Sequence, residues 1–333
     1  MSSKAKRNAI VVAIAAIATV LSAPIGGVAG PVVAKIGAAV VGAGSAYAAY
    51  VGSFIVRAAL GLAAMAMTSG VGRVPPRGYK VTQKGSALDR QVVYGETKAA
   101  GVVVFDGTTG SSNKYLHRVI AFTGHEIQEF KEVWLDNYKL TVNLSTGAVT
   151  SAVQLKADTD SSSATYRQMI PDTSTTTNRY NSYVRIKGHL GTTTQTADSD
   201  LVSEVSEWTS AHQLKGISYL YIRLEYNQDT FPNGVPEIQA TIKGKKVYDP
   251  RSSSTAWSDN PALCIRDYLI NSDYGLGETS SYIDDTLVTT AANYCDTTAT
   301  DSSKFFTLNG AFTTGSQPVD VLAELLTTMN GLL

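Results

Sequence analysis

The sequence predicts a mainly β protein with α+β parts, preceded by an apolar helical segment. Three observations predict it. Residues 1–73 are dominated by Ala, Gly and Val, and the composition changes abruptly after Val74-Pro75-Pro76-Arg77-Gly78, a stiff hinge. Beyond the hinge, short runs of β-branched and aromatic residues alternate with turn dipeptides. Past Pro250 the apolar period shifts from two residues to that of a helix face. The chain thus divides into an apolar segment over 1–73, a β-rich domain over 74–250 with a polar insertion near 151–180, and an α+β domain over 251–333 expected to continue past Leu333.

A chain of 333 residues has room for about two domains. Lys+Arg and Asp+Glu each number 28, so there is no net charge, which argues against affinity obtained by neutralising phosphates. Cys264 and Cys295 lack CxxC spacing and read as buried free thiols, with a disulfide as the alternative. His117, His125, His189 and His212 lack the spacing of metal ligands.

Lys4, Lys6 and Arg7 open the chain; Ala9 to Ala34 and Ile36 to Val56 are then uncharged on either side of Lys35. Each stretch is long enough to cross hydrocarbon as a helix. Pro24, Gly26, Gly27, Gly30 and Pro31 break the first, leaving a helical piece over Asn8–Ser22. Three readings compete. A signal peptide fits the basic start, although Pro24 directly follows the Leu21-Ser22-Ala23 cleavage signal. Two membrane helices fit the small-residue faces, such as Gly26-x-x-x-Gly30. A helical hairpin buried in a protein assembly, packed as a plug, fits them equally.

In the β-rich part, Gln91–Tyr94, Gly101–Phe105 and Tyr115–Phe122 read as strands. Glu132–Leu135 and Tyr138–Leu144 flank Asp136-Asn137, a two-residue hairpin signal. Ser151 to Asn178 is so rich in Ser, Thr and Asp that it reads as a long loop or insertion. Tyr183–Leu190 alternates, and Ile217–Tyr226 does so strictly, with apolar side chains on both faces. A strand of that kind is covered on both sides. Ser203–Leu214 reads as a short surface helix, and Lys243-Gly244-Lys245-Lys246 as a hairpin turn.

Past Pro250, Ser258 or Asp259 is expected to cap a helix with Pro261 in its first turn and Leu263, Ile265, Tyr268, Leu269 and Ile270 on its buried side. Gly275 and Gly277 end that segment. Further helices are expected over Ile283–Cys295 and Val319–Met329, with a strand over Phe305–Phe312 between them.

Reactive constellations are missing: there is no GxSxG, phosphate-binding glycine loop, HExxH or calcium loop. Asp284-Asp285 is better explained as acids in the first turn of a helix than as a catalytic pair. Glu126 with Glu129, and His125-Glu126 after Gly124, are accounted for by polar turns. The Lys243–Lys246 cluster fits a solvated turn better than a nucleic-acid contact. Trp208 and Trp257 read as packing anchors. The sequence nominates no catalytic, cofactor-binding or metal-ligating residue, and no enzyme.

Several motifs occur in a telling order: Gly188-His-Leu-Gly191 with Gln195, Trp208, Gly216-Ile-Ser-Tyr219, Gly234-Val-Pro-Glu-Ile238, Lys243-Gly-Lys-Lys-Val-Tyr-Asp-Pro-Arg251, Trp257-Ser-Asp-Asn-Pro-Ala262, Tyr274-Gly-Leu-Gly277, Ala292-Asn-Tyr-Cys-Asp296 and Val321-Leu-Ala-Glu-Leu-Leu326. From about Gln91 to the end, the chain resembles the central tail hub, or tip attachment protein, of long-tailed, lambda-like bacteriophages. The resemblance implies a tube-like β-barrel hub domain and a smaller α+β domain in a structural virion protein. It further implies a homotrimer that closes the distal end of the tail tube, initiates tail assembly and opens for genome passage. The implied partners are the distal tail protein ring, the tape measure protein and tail tip assembly proteins. DNA would pass through the lumen without its sequence being read, and the host membrane is a further partner through the N-terminal segment. The resemblance places the protein in the virion, after synthesis in the host cytoplasm. Two departures stand out. Hubs of this family are longer, which leaves host recognition to residues or chains outside this sequence. The lambda-type protein has no comparable apolar leader, and the leader here resembles the hydrophobic tail of a separate tip-assembly protein. The competing class is a membrane-anchored β-rich surface or pore protein.

Overall fold

The computed structural model describes residues 83–84, 89–163, 165–299 and 302–331, so the readings of the apolar leader lie outside the described residues. The chain is mainly β with a few helices, as expected. One sheet has five strands in the order β1 (Gln83–Lys84), β4 (Val102–Thr109), β5 (Tyr115–Thr123), β11 (Ser218–Glu225), β10 (Val184–His189). A second has six, in the order β3 (Glu96–Ala100), β12 (Ile238–Lys243), β6 (Glu129–Leu135), β7 (Tyr138–Val142), β8 (Val149–Ala157), β9 (Met169–Thr177). They enclose a common core that includes Ile120, Phe122, Leu220 and Ile222 from the first sheet and Phe130, Val133, Leu135 and Ile242 from the second.

The tube-like barrel implied by the resemblance takes the form of two open sheets among the described residues. The chain crosses between them at Gly101, where an added Cβ would lie 2.4 Å from the Ile120 side chain. A single antiparallel bridge, Ala148 to Arg185, links β10 to the residue before β8. One bridge does not make a ladder, so closure stops there.

Strand β11 explains the layering. Leu220, Ile222 and Leu224 enter the sandwich core, while Tyr219 and Tyr221 turn outward into a smaller cluster with Val119, Leu201, Val205 and Trp208. The cover on that outer face is helix α1 (Ser199–Glu204) and the turns after it. The helix lies earlier than the expected Ser203–Leu214, because Asp198 caps it, accepting from the Asp200 and Leu201 amides, and Val205 is already extended. Asp136-Asn137 does form the β6–β7 turn, with Asp136 at φ 51°.

The stretch read as a loop over Ser151–Asn178 is instead the β8–β9 hairpin. Its threonines are β-branched and suit a strand. They are polar because no residue of β9 is buried, so neither face needs apolar side chains.

The rest forms a separate core. Helices α2 (Pro261–Ile270), α3 (Asp285–Cys295) and α4 (Pro318–Thr327) pack with the hairpin β13 (Lys246–Asp249)–β14 (Ser254–Trp257). Asn260 rather than Ser258 or Asp259 caps α2, its side chain accepting from the Ala262 amide at 3.0 Å. The strand expected over Phe305–Phe312 shrinks to β15 (Gly310–Thr313), because Leu308 is buried and its amide donates to the Asp259 carbonyl instead of a ladder. Strand β15 pairs with β2 (Gln91–Tyr94), the first strand after the β1 edge. Cys264 and Cys295 are both free thiols within this core.

Because Ile222 is fully buried between the sheets, Ile222→Ala should cost about 2–5 kcal/mol in chemical denaturation. Val104→Ala, at a side chain that is about half exposed, should change stability by less than about 0.5 kcal/mol.

Candidate functional site

Strand β2 belongs to two cores. With a period of two, Val93 points into the sandwich while Val92 and Tyr94 point into the helical core. All three side chains are buried. One edge of β2 carries the ladder to β15. The other carries three separate contacts from turns of the sandwich. The Gly124 amide donates to the Gln91 carbonyl at 3.0 Å, the Lys245 amide to the Val93 carbonyl at 2.8 Å, and the Val93 amide to His125 Nε2 at 3.0 Å. An imidazole therefore occupies the place of a neighbouring strand.

Both His125 nitrogens are committed. Nε2 faces a backbone N–H and must accept, so Nδ1 carries the proton and donates to the Glu126 carbonyl at 2.8 Å. Burial, reinforced by the nearby Lys245, pushes this histidine down to about 4. On the helical side, the Tyr94 and Tyr274 hydroxyls both donate to Asp267 Oδ2, the former at 2.6 Å. Burial, then the Asp267 charge, raises both phenols well above their ordinary range. They stay protonated as donors to the carboxylate.

Glycines let the backbones meet at this joint. An added Cβ on Gly244 would lie 2.1 Å from the Val93 carbonyl oxygen, and one on Gly275 would lie 1.9 Å from that of Tyr268. Gly191, at φ 83°, abuts the Ile217–Ser218 peptide, and its amide donates to Gln195, whose own amide donates to the Gln213, Leu214 and Ile217 carbonyls. After α2, Asn271 accepts from the Asp273 and Tyr274 amides, turning the chain so that Tyr274 reaches Asp267. Trp257, read as an anchor, is half-buried and donates to the Gly95 carbonyl at 3.2 Å. Trp208 is buried edge-on to Phe105.

The other candidates are dispersed. Lys243-Gly244-Lys245-Lys246 is not a hairpin turn, since β12 and β13 lie in different sheets. Lys243 pairs with Glu129 at 2.6 Å, Lys246 pairs with Glu126 at 2.7 Å, and Lys245 lies over the Tyr274 ring. The cluster therefore presents no open basic patch, and Glu126 and Glu129 serve separate lysines. Asp284 caps α3, while Asp285 holds Arg266 through two contacts at 2.7 and 3.1 Å. His189 bonds the α1 cap Asp198 at 2.8 Å, His117 joins Tyr221 to Thr109, and His212 stacks on Trp208. No group of three or more His, Cys, Asp or Glu among the described residues is placed to hold a metal. No described helix is long and apolar enough to cross a membrane.

Sequence reasoning missed the roles of His125, Tyr94 and Asp267. No local signal marks them, because their partners lie far away in sequence.

No protein-family model matches the chain, and no curated protein matches it. Among solved structures, a chain in the virion of a native gene transfer agent particle is similar at a TM-score of 0.38 and 14% identity. The match covers 82% of this chain and 59% of that one, so this chain spans about three-fifths of that neighbour's length. A likeness of this degree carries no argument about function.

The joint makes a measurable demand on Gly244. Gly244→Ala forces backbone away from Val93 and should cost about 1–3 kcal/mol as overpacking. Gly216→Ala meets nothing within 4 Å but sits at φ 75°, so it should cost only about 1 kcal/mol. Urea midpoints of the two variants should fall in that order.

Proposed function

We propose that the chain is a structural protein of a phage-like virion, and within it the trimeric central hub that closes the distal end of a tail tube. One observation carries this reading. Three of the motifs that resemble tail hubs, those containing Gly244-Lys245, Trp257 and Tyr274, fall on the contacts that fix one core against the other. Gly244 and Lys245 meet Val93, Trp257 meets Gly95, and the Tyr274 ring lies under Lys245 and 6.3 Å from the His125 ring. Residues matched for a chemical role would be expected to converge on an open cleft. These instead set the angle between two bodies, the property on which a ring subunit's fit to its neighbours depends.

The side chains that might have supplied chemistry also have structural partners. Asp284 and Asp285 serve a helix cap and an ion pair, and the histidines hold strands and caps. A non-catalytic role follows in this reading. Its partners are the distal tail ring, the tape measure protein and tip-assembly proteins, with DNA passing through the lumen unread.

Imaging of purified particles, with the chain marked by a small genetically encoded tag at its N-terminus, tests the proposal. The expected result is threefold density at the distal end of the tail. Sixfold density along the tube, label on the capsid, or recovery of the chain in host membranes instead of particles would contradict it. The last outcome would favour the membrane-anchored alternative.

A further inference from the structure

We propose that the joint is an acid-sensitive latch, in which protonation of His125 releases Val93, and with it β2, from the sandwich while β2 keeps its ladder to β15. The inference rests on the geometry of the joint and holds whatever assembly the chain belongs to.

The two edges of β2 differ in kind. The β15 edge is a backbone ladder over four residue pairs, Gln91–Thr313 to Tyr94–Gly310, and no group in it titrates. On the sandwich edge the Val93 amide has His125 Nε2 as its acceptor. Because Nδ1 already donates to the Glu126 carbonyl, a second proton can go only to Nε2. Two donors, Val93 N–H and Nε2–H, would then point at each other 3.0 Å apart. That contact becomes repulsive, and the imidazolium is left in a site with 5% of the residue exposed.

The groups facing the ring offer it little compensation. From the turn after β12, Lys245 adds like charge. Glu126, next in the chain, has its carboxylate bound to Lys246. From the helical core, the Tyr274 ring lies 6.3 Å away, and its hydroxyl, like that of Tyr94, is given to Asp267. At the end of β5, the Thr123 hydroxyl donates to the His125 carbonyl.

The direction follows from proton linkage. An unfolded histidine titrates near 6.5, whereas this one is held down to about 4. Between those values the open joint binds the proton and the closed one does not. The contribution of His125 to closure is therefore complete above about pH 6.5 and is lost as pH falls towards about 4. Across that window the opening equilibrium should rise by roughly 100-fold.

Hydrogen exchange of the full chain, corrected for the intrinsic pH dependence of exchange, reads this directly. Protection of the Val93 amide should fall by up to about 100-fold between pH 7 and pH 4, ahead of strand 218–225 and helix 261–270, while the Val92 and Tyr94 amides, on the β15 edge, keep theirs. In His125→Gln the side-chain amide oxygen can accept from Val93 without titrating, so that loss should flatten. Loss of Val93 protection in step with the two other segments or with Val92 and Tyr94, or an unchanged pH profile in His125→Gln, would overturn the proposal. Should His125→Gln fail to fold, imidazole nitrogen shifts of the wild-type chain decide. A His125 midpoint that tracks the loss of Val93 protection supports the latch. Titration of the ring with the Val93 amide still protected overturns it.

Discussion

Strand β2 has only four residues, and Val93 faces one core while Val92 and Tyr94 face the other. Nearly everything distinctive about the molecule is arranged to make that sharing hold. A short strand in two cores cannot rotate or slip by one residue, because a slip would exchange its faces and send Tyr94 into the sandwich. Its register is pinned by the β15 ladder on one edge and by the Gly124, His125 and Lys245 contacts on the other. Gly244 has no side chain because the Val93 carbonyl fills the space where a Cβ would be. The angle between the two bodies is thus set by close backbone contacts, which deform less readily than contacts between long side chains.

The same constraint accounts for the unusual punctuation around α2. The helix must begin against α3, where the Asn260 side chain caps it and also donates to the Ala292 carbonyl. It must end so that Tyr274 folds back onto Asp267, beside Tyr94. A Pro at the first turn and an Asn-Ser-Asp-Tyr-Gly exit meet those two geometric demands. No reactive group is needed to explain either end.

Much of this was legible in sequence where a local rule decides. The β11 alternation announced a strand covered on both faces because apolar side chains occupied both parities. The β6–β7 turn was legible in Asp136-Asn137, which tolerates the positive φ found there. Pro261 held more information than a choice between Ser258 and Asp259 used: a proline at the first helical position puts the cap at the residue before it, Asn260. The Ser/Thr-rich hairpin misleads because its polarity reflects an outer strand, β9, with no buried residue, and not irregular backbone. The joint itself was out of reach. Gln91-Val-Val-Tyr94 reads as an ordinary buried strand, and nothing local says that its two faces belong to different cores. Gly124-His125 looks like a polar turn until Val93, distant in sequence, arrives beside it.

If β2 ties the two cores into one body, they must unfold together. Denaturant unfolding of the full chain at pH 7.5 can be followed by two reporters. Tryptophan fluorescence senses Trp208 and Trp134, buried on the outer faces of the two sheets, together with Trp257 at the joint, and thiol labelling senses Cys264 and Cys295, buried in the helical core. The account predicts one transition with coincident midpoints for both reporters. Two separated transitions, with thiols exposed while the tryptophan signal remains native, would show that the cores are independent and that the shared strand does not couple them.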